Sequence, residues 1–186
     1  MRIPALVLVL AVAVPAHAGE LDIDAGAQAT TTAWNGDHGG GAMLTAGYWF
    51  MSWLGASFIG KEQYATVDDR LLSYFSLNAS ARATLGSARL VGTLGVVHQH
   101  EEPRTVWEQQ PLMSALGVAD GIRHRFAGRA GASLQIPLRT MGKADPYLGF
   151  DVDATVFGDT DKGPRWMMSA GVSVGFLWDF ARVVAK

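Results

Sequence analysis

The stretch that decides the fold is LDIDAGAQATTTA, residues 21–33, in which apolar or small side chains alternate with polar residues and glycine. The odd positions begin with Leu21 and Ile23, and the even positions begin with Asp22 and Asp24. Because successive side chains of a β-strand point to opposite faces, this period of two predicts a strand with one apolar face and one polar face. The strand would be longer than the ~5–6 residues that are usual in globular proteins.

The same alternation recurs along the chain and predicts eight strands, at residues 21–33, 41–50, 53–64, 71–85, 89–101, 122–136, 148–156 and 166–180. The connections at 51–52, 86–87 and 140–145 are short, and those at 35–40, 65–70, 102–121 and 158–164 are longer or more polar. Long strands joined alternately by tight turns and loops are typical of a transmembrane β-barrel. We therefore predict an all-β chain that forms a closed, up-and-down, eight-stranded antiparallel barrel, because closure leaves no unpaired backbone edge in lipid.

The first part of the chain has the pattern of a secretory signal peptide. Arg2 gives a positive start, residues 5–14 form an apolar run too short to span a bilayer, and Ala16-His17-Ala18 is a small-x-small cleavage sequence. We predict that residues 1–18 are removed on export and that residues 19–186 form one barrel domain.

The composition excludes several classes of protein. The net charge of −2 becomes −3 when Arg2 leaves with the signal peptide, which is too mild for a nucleic-acid-binding protein. The chain has no cysteine, so disulfides do not hold this exported fold together. No glycine-rich phosphate loop joins a predicted strand to a helix, and the run at Gly39–Gly41 is interpreted as a turn. We predict no cofactor and no nucleic-acid partner.

Two segments resemble a known family. The segment GYWFMSWLG, residues 47–55, is similar to the passage from the second strand through a tight turn to the third strand of small OmpA/OmpX/OmpW-like outer-membrane proteins. Residues 171–180 alternate and end on Phe180, as does the C-terminal β-signal that the barrel assembly machinery reads, although residues 181–186 follow it here. The resemblance implies a porin-like barrel in the outer membrane of a Gram-negative envelope. Its partners would be that machinery, membrane lipid and lipopolysaccharide.

A soluble lipocalin-like barrel, with its apolar face around a ligand, is the alternative architecture. The charged residues of the polar faces would suit either a lumen or a soluble exterior. The aromatic residues favour the membrane barrel, because they fall near strand ends on or beside the apolar faces, as interfacial girdles do. They are Tyr48, Phe50, Trp53, Trp166, Trp178 and Phe180.

Charged side chains on the polar faces predict an ion-paired lumen. Side chains just fill the interior of an eight-stranded barrel, so opposite charges there have to pair. Antiparallel pairing across the 140–145 turn sets Arg129 roughly opposite Asp153, with Asp151 one step nearer the turn. The predicted lumen charge network consists of Glu101, Arg123, Arg125, Arg129, Asp151 and Asp153. A charged pathway for small solutes is the alternative.

Three histidines are candidate metal ligands at one rim. His98 and His100 share one face of a predicted strand, and His124 is expected on the same outward face of the neighbouring strand. Imidazoles bind Zn²⁺ and Cu²⁺, and Glu102 is a candidate fourth ligand. Strand alternation also places amphipathic histidines at the level of the lipid headgroups. The alternative is therefore that the three histidines are simply polar rim residues that bind no metal.

The same histidines raise the alternative of a lipid A-modifying enzyme. A nucleophile needs a base within hydrogen-bond reach and a third group that orients the base. Ser114 is the nearby serine, but the His-x-Ser sequence expected of lipid A deacylases reads His98-Gln99-His100 here. We therefore assign no catalytic residue and predict a chain without enzyme activity.

The long 102–121 connection has apolar residues at a spacing that fits a short amphipathic helix. Such a helix would serve as a lid on the barrel mouth or as a surface for a protein partner. The predicted function is that of a non-enzymatic outer-membrane barrel whose lumen is plugged by charged side chains. It would contribute to envelope integrity or surface interaction.

Overall fold

The computed structural model describes residues 19–115, 117–139, 141, 143–159, 161 and 163–180. The predicted signal peptide, residues 1–18, and the segment after Phe180, residues 181–186, lie outside the described residues. Among the residues described, no helix has both the length and the apolar character needed to cross a membrane.

Within these residues the chain forms eight strands and two short helices. The strands are β1 (Glu20–Thr32), β2 (His38–Trp49), β3 (Leu54–Ala65), β4 (Arg70–Leu85), β5 (Ala88–Pro103), β6 (Arg123–Pro137), β7 (Ala144–Phe157) and β8 (Trp166–Asp179). Two helices, α1 (Arg104–Gln109) and α2 (Pro111–Ala115), lie in the connection between β5 and β6. Each strand pairs antiparallel with the next, and β8 pairs with β1. The sheet therefore closes into a barrel, which confirms the predicted fold class.

The run Gly39–Gly41, interpreted from the sequence as a turn, instead lies within β2. Gly39 and Gly41 pair with Ala65 and Gln63 of β3, and a Cβ atom at either glycine would collide with a backbone carbonyl of that strand. These glycines therefore permit the close approach of two strands. The turn interpretation was wrong because glycine suits both a turn and such an approach.

The last short turn is tighter than predicted. Strand β7 begins at Ala144, whereas the sequence predicted a start at residue 148. Asp145, which was assigned to the turn, and the following Pro146 pair with Leu177 and Phe176 of β8. Pairing with the last strand thus extends β7 through residues whose local preference is for a turn.

The two faces of the barrel differ in chemistry. The inward positions are mostly polar, as on β1, where Asp22, Asp24 and Gln28 are buried. The outward positions are mostly apolar and exposed, and Leu94 and Phe126 expose 68% and 70% of their surfaces. A surface with so many exposed large apolar side chains suits lipid rather than water. This distribution is the reverse of the one expected for the soluble lipocalin-like alternative.

Aromatic side chains lie at both ends of the outward surface. The exposed ones at the end that carries the short turns are Tyr48, Trp53, Trp178 and Phe180. The ring of Phe50 lies beside that of Tyr48, with 6.4 Å between the centroids. Trp166 is exposed at the opposite end, where β8 begins. This placement matches the interfacial girdles of membrane barrels.

We expect the folded barrel to resist detergent at room temperature. All of its strands are paired, so unfolding requires the sheet to open as a whole. Unboiled protein should therefore migrate faster on a detergent gel than boiled protein, and it should fractionate with outer membranes. Recovery as a soluble monomer from the periplasm would contradict the membrane assignment.

Candidate functional site

The middle of the lumen is crossed by an ion pair. Lys61 Nζ on β3 lies 2.5 Å from Asp153 Oδ2 on β7, and both side chains are buried. Arg129 Nε on β6 lies 3.5 Å from Asp153 Oδ1, and Arg129 Nη1 donates to Thr93 Oγ1 at 2.7 Å. Because β3 and β7 are not neighbours in the sheet, the Lys61–Asp153 contact spans the interior.

The upper lumen, near the long loops, is organised around Glu101. Its carboxylate oxygens lie 2.9 Å from Arg125 Nη1, 2.7 Å from Arg123 Nη2 and 3.3 Å from Arg70 Nη1. The side chains of Glu101 and Arg125 are almost completely buried. One buried carboxylate therefore serves three guanidinium groups, of which those of Arg70 and Arg125 are buried and that of Arg123 is partly exposed.

Two loop acids balance the excess of positive charge around Glu101. Arg70 Nη2 lies 2.6 Å from Asp37 Oδ2, and Arg125 Nε lies 3.0 Å from Asp159 Oδ1. Arg125 also donates to the Pro164 carbonyl at 2.8 Å. These contacts tie the β1–β2 and β7–β8 loops to the wall of the barrel.

The lower lumen is held by hydrogen bonds to buried aspartates. Tyr147 Oη donates to Asp22 at 2.7 Å and lies 3.1 Å from Asp24 Oδ2, and Trp49 Nε1 donates to Asp22 at 3.2 Å. Asp22, Asp24 and Trp49 line a cavity of about 50 Å³ together with Arg129. A space of that size holds a few water molecules at most.

The structure brings together most of the predicted lumen residues. Glu101 contacts Arg123 and Arg125, and Arg129 contacts Asp153, whereas Asp151 accepts a hydrogen bond from Ser173 at 2.9 Å.

The predicted register across the last short turn was wrong by two residues. Thr155 is the residue paired with Arg129, and Asp153 pairs with Gly131. The long Arg129 side chain reaches Asp153 diagonally, since such neighbours lie within the range of long side chains.

Sequence reasoning missed several members of the lumen network: Asp22, Asp24, Asp37, Lys61, Arg70 and Tyr147. Lys61 offered a usable signal, because it lies in a predicted strand at a position that alternates with the outward Phe58 and Tyr64. Asp37 and Arg70 offered none, because both were assigned to loops.

The three predicted histidines meet on the outward face of β5 and β6. His98 Nε2 lies 2.7 Å from His100 Nε2 and 3.3 Å from His124 Nδ1. One ligand nitrogen from each ring falls within 4.8 Å of the others. Among the described residues Glu102, predicted as a fourth ligand, is not part of this group and is buried nearby.

Ser114 lies on α2 and is buried. Within the described residues its hydroxyl has no hydrogen-bond partner, so the structure does not join it to a histidine. The predicted amphipathic helix in this connection is present as two shorter helices, α1 and α2.

No protein-family profile matches the sequence. No curated protein matches it either. Solved structures do match the fold, and three of them are small outer-membrane barrels. Neisserial surface protein A is 13% identical, with a TM-score of 0.58, over 88% of this chain and 97% of that chain.

The other two similar structures are each 17% identical over 86% of this chain. Ail, the attachment invasion locus protein of Yersinia pestis, has a TM-score of 0.52 over 99% of its own length. The N-terminal barrel domain of Pseudomonas aeruginosa OprF has a TM-score of 0.50 over 97% of its own length. The chain therefore has the fold of the small eight-stranded outer-membrane barrels, as predicted. Together with the apolar outward surface, this fold supports the predicted location in the cell outer membrane.

Proposed function

We propose that the protein is a non-enzymatic outer-membrane barrel that contributes to envelope integrity or presents its loops for surface interaction, with a lumen closed by its own side chains. The observation that carries the proposal is the Lys61–Asp153 contact of 2.5 Å across the interior. The similar solved structures share only the fold with this chain, so the proposal is based on its lumen and its loops.

The lumen is bridged at three heights. Tyr147 and Asp22 join β7 to β1 below, Lys61 and Asp153 join β3 to β7 in the middle, and Arg70 and Asp37 join β4 to the β1–β2 loop at the top. An eight-stranded barrel is just wide enough for side chains to fill it. A continuous aqueous path would require several buried ion pairs to break together, which supports a structural role over transport.

The surface available to a partner is the connection that carries α1 and α2. Leu112 and Val118 expose 72% and 59% of their surfaces there, and Met113 is also exposed. Arg104 on α1 lies 3.0 Å from Asp69, which fastens the connection to the β3–β4 loop. An apolar, fastened protrusion of this kind suits contact with outer-leaflet lipid, lipopolysaccharide or a protein at the cell surface.

Planar-bilayer recording tests the closed lumen. Purified barrel should give no stable, large conductance, because Lys61, Asp153 and Arg129 occupy the centre of the lumen. The double variant Lys61→Ala with Asp153→Ala serves as the comparison, since it shortens both sides of the bridge. Reproducible porin-like steps from the wild-type protein would favour the solute-channel alternative.

The non-enzymatic part of the proposal has its own test. Cells that carry the wild-type protein, and cells that carry a His98→Asn, His100→Asn, His124→Asn variant, should have the same lipid A mass spectrum. We further propose that residues 171–180 engage the barrel assembly machinery, and insertion of the barrel can be followed in the same strains. An acyl pattern that changes with the histidines would establish the lipid A-modifying alternative.

A further inference from the structure

We propose that His98, His100 and His124 bind one divalent transition-metal ion, with Zn²⁺ as the best match, on the outward rim of the barrel. The inference goes beyond the proposed closed-barrel function and does not depend on it. The site is built by two neighbouring strands, since His98 and His100 come from β5 and His124 from β6.

Strand geometry explains why the three rings converge. Residues 98 and 100 of β5 point to the same side because side chains alternate along a strand. His124 is the direct cross-strand partner of His100. Ring centroids lie 4.7 Å apart for His98 and His100, 5.4 Å apart for His98 and His124, and 4.5 Å apart for His100 and His124.

One nitrogen of each ring lies within 4.8 Å of the other two, close to the spacing of ligands on one metal ion. Zn²⁺ lies about 2.0–2.1 Å from each imidazole nitrogen, which places tetrahedral ligand nitrogens roughly 3.3 Å apart. The observed separations are 3.3 Å between His98 Nε2 and His124 Nδ1, and 2.7 Å between His98 Nε2 and His100 Nε2. A small outward rotation of one ring would bring the second distance to the required value.

Hydrogen bonding alone accounts poorly for this arrangement. In a neutral imidazole each ring nitrogen carries either one hydrogen or one lone pair. His98 Nε2 faces two other nitrogens at once, so it cannot form a good hydrogen bond with both. A central cation would accept a lone pair from all three rings and remove this conflict.

The surroundings of the rings restrict their movement. The ring of Phe126 stands 4.7 Å from that of His98, and the ring of Phe75 stands 5.8 Å from that of His100. Gly117 has a φ of +70°, and a Cβ atom there would collide with the His100 ring. The connection between β5 and β6 therefore packs directly on one of the ligands, and the metal would fasten the base of that connection.

The ligand set favours a borderline transition metal over Ca²⁺ or Mg²⁺. Imidazole suits Zn²⁺, Cu²⁺ and Ni²⁺, whereas Ca²⁺ and Mg²⁺ prefer oxygen ligands. Three protein ligands leave the fourth tetrahedral position of Zn²⁺ for water or a group from the surroundings. His98 and His100 are only partly buried and His124 is exposed, so an ion can enter from outside the barrel.

Metal binding to the purified barrel tests the proposal. The protein is prepared without a polyhistidine tag, stripped with a chelator, and dialysed against micromolar Zn²⁺. We expect about one Zn²⁺ per chain by elemental analysis, and a tetrahedral Co²⁺ absorption spectrum when Co²⁺ replaces Zn²⁺. Each single His→Asn substitution should weaken Zn²⁺ binding by more than ~10-fold, because loss of even an outer-shell partner costs 10–100-fold.

His38→Asn is the matched control, because His38 is an exposed histidine at the start of β2, remote in sequence from the cluster. It should bind Zn²⁺ as the wild type does. The triple variant His98→Asn, His100→Asn, His124→Asn should bind none while its unboiled gel migration remains that of a folded barrel. Wild-type barrel that takes up no Zn²⁺ would overturn the site, as would a triple variant that binds Zn²⁺ with unchanged affinity.

Discussion

Glu101→Gln is expected to lower the free energy of unfolding by roughly 3–5 kcal/mol, the usual cost of removing one partner of a buried ion pair. Glutamine keeps the shape of the side chain but removes the charge that three arginines share. Arg125, which is fully buried, loses its 2.9 Å contact with a carboxylate, and Arg123 and Arg70 lose theirs. Reversible urea unfolding in lipid vesicles, followed by tryptophan fluorescence, measures the change.

Glu108→Gln provides the control for this substitution. Glu108 lies on α1, and its side chain is 57% exposed and pairs only loosely with Arg104 at 3.6 Å. Exposed pairs contribute about 0–1 kcal/mol, so this variant should unfold close to wild type. If Glu101→Gln were no more destabilising than Glu108→Gln, the proposed centre of the upper lumen would be wrong.

The architecture could be predicted because a lipid-facing barrel constrains every strand in the same way. Alternation in residues 71–85, for example, assigns Leu77 to the lipid and Asn78 to the lumen, as the structure has them. Closure then follows, since an open edge in lipid is too unfavourable. The histidine cluster was predictable by the same rule. Alternation along the strands assigns His98, His100 and His124 to the outward face, and the pairing of β5 with β6 then brings them together.

The lumen partners could be predicted only in part. Alternation along a strand shows which face of the sheet a residue lies on, but it does not show the position of that residue along the barrel axis. A register error of two residues placed Arg129 opposite Asp153, although Thr155 occupies that position. Contacts between strands that are not neighbours, such as Lys61 with Asp153, depend on how the strands tilt in the closed barrel. That tilt is a property of the whole sheet and cannot be inferred from the sequence of any single strand.

Asp153 is expected to be strongly coupled to both of its cationic partners, Lys61 and Arg129, but not equally to the two. Its carboxylate lies 2.5 Å from Lys61 Nζ and 3.5 Å from Arg129 Nε, so removal of either cation leaves the acid partly compensated by the other. Single substitutions Lys61→Ala, Arg129→Ala and Asp153→Ala should each destabilise the barrel. Double-mutant cycles measured by urea unfolding should give coupling energies of about 0.5–3 kcal/mol, the range for groups within one network.

The coupling of Asp153 to Lys61 should exceed its coupling to Arg129, because the first pair is closer and Arg129 also donates to Thr93 and Asn78. Arg104→Ala supplies the control cycle with Asp153→Ala, since Arg104 is exposed and its ion-pair partners are Asp69 and Glu108. That cycle should be additive within about 0.5 kcal/mol. Additivity in the Lys61 cycle as well would mean that the two charges do not meet across the lumen, and the bridge on which the closed-barrel proposal rests would be absent.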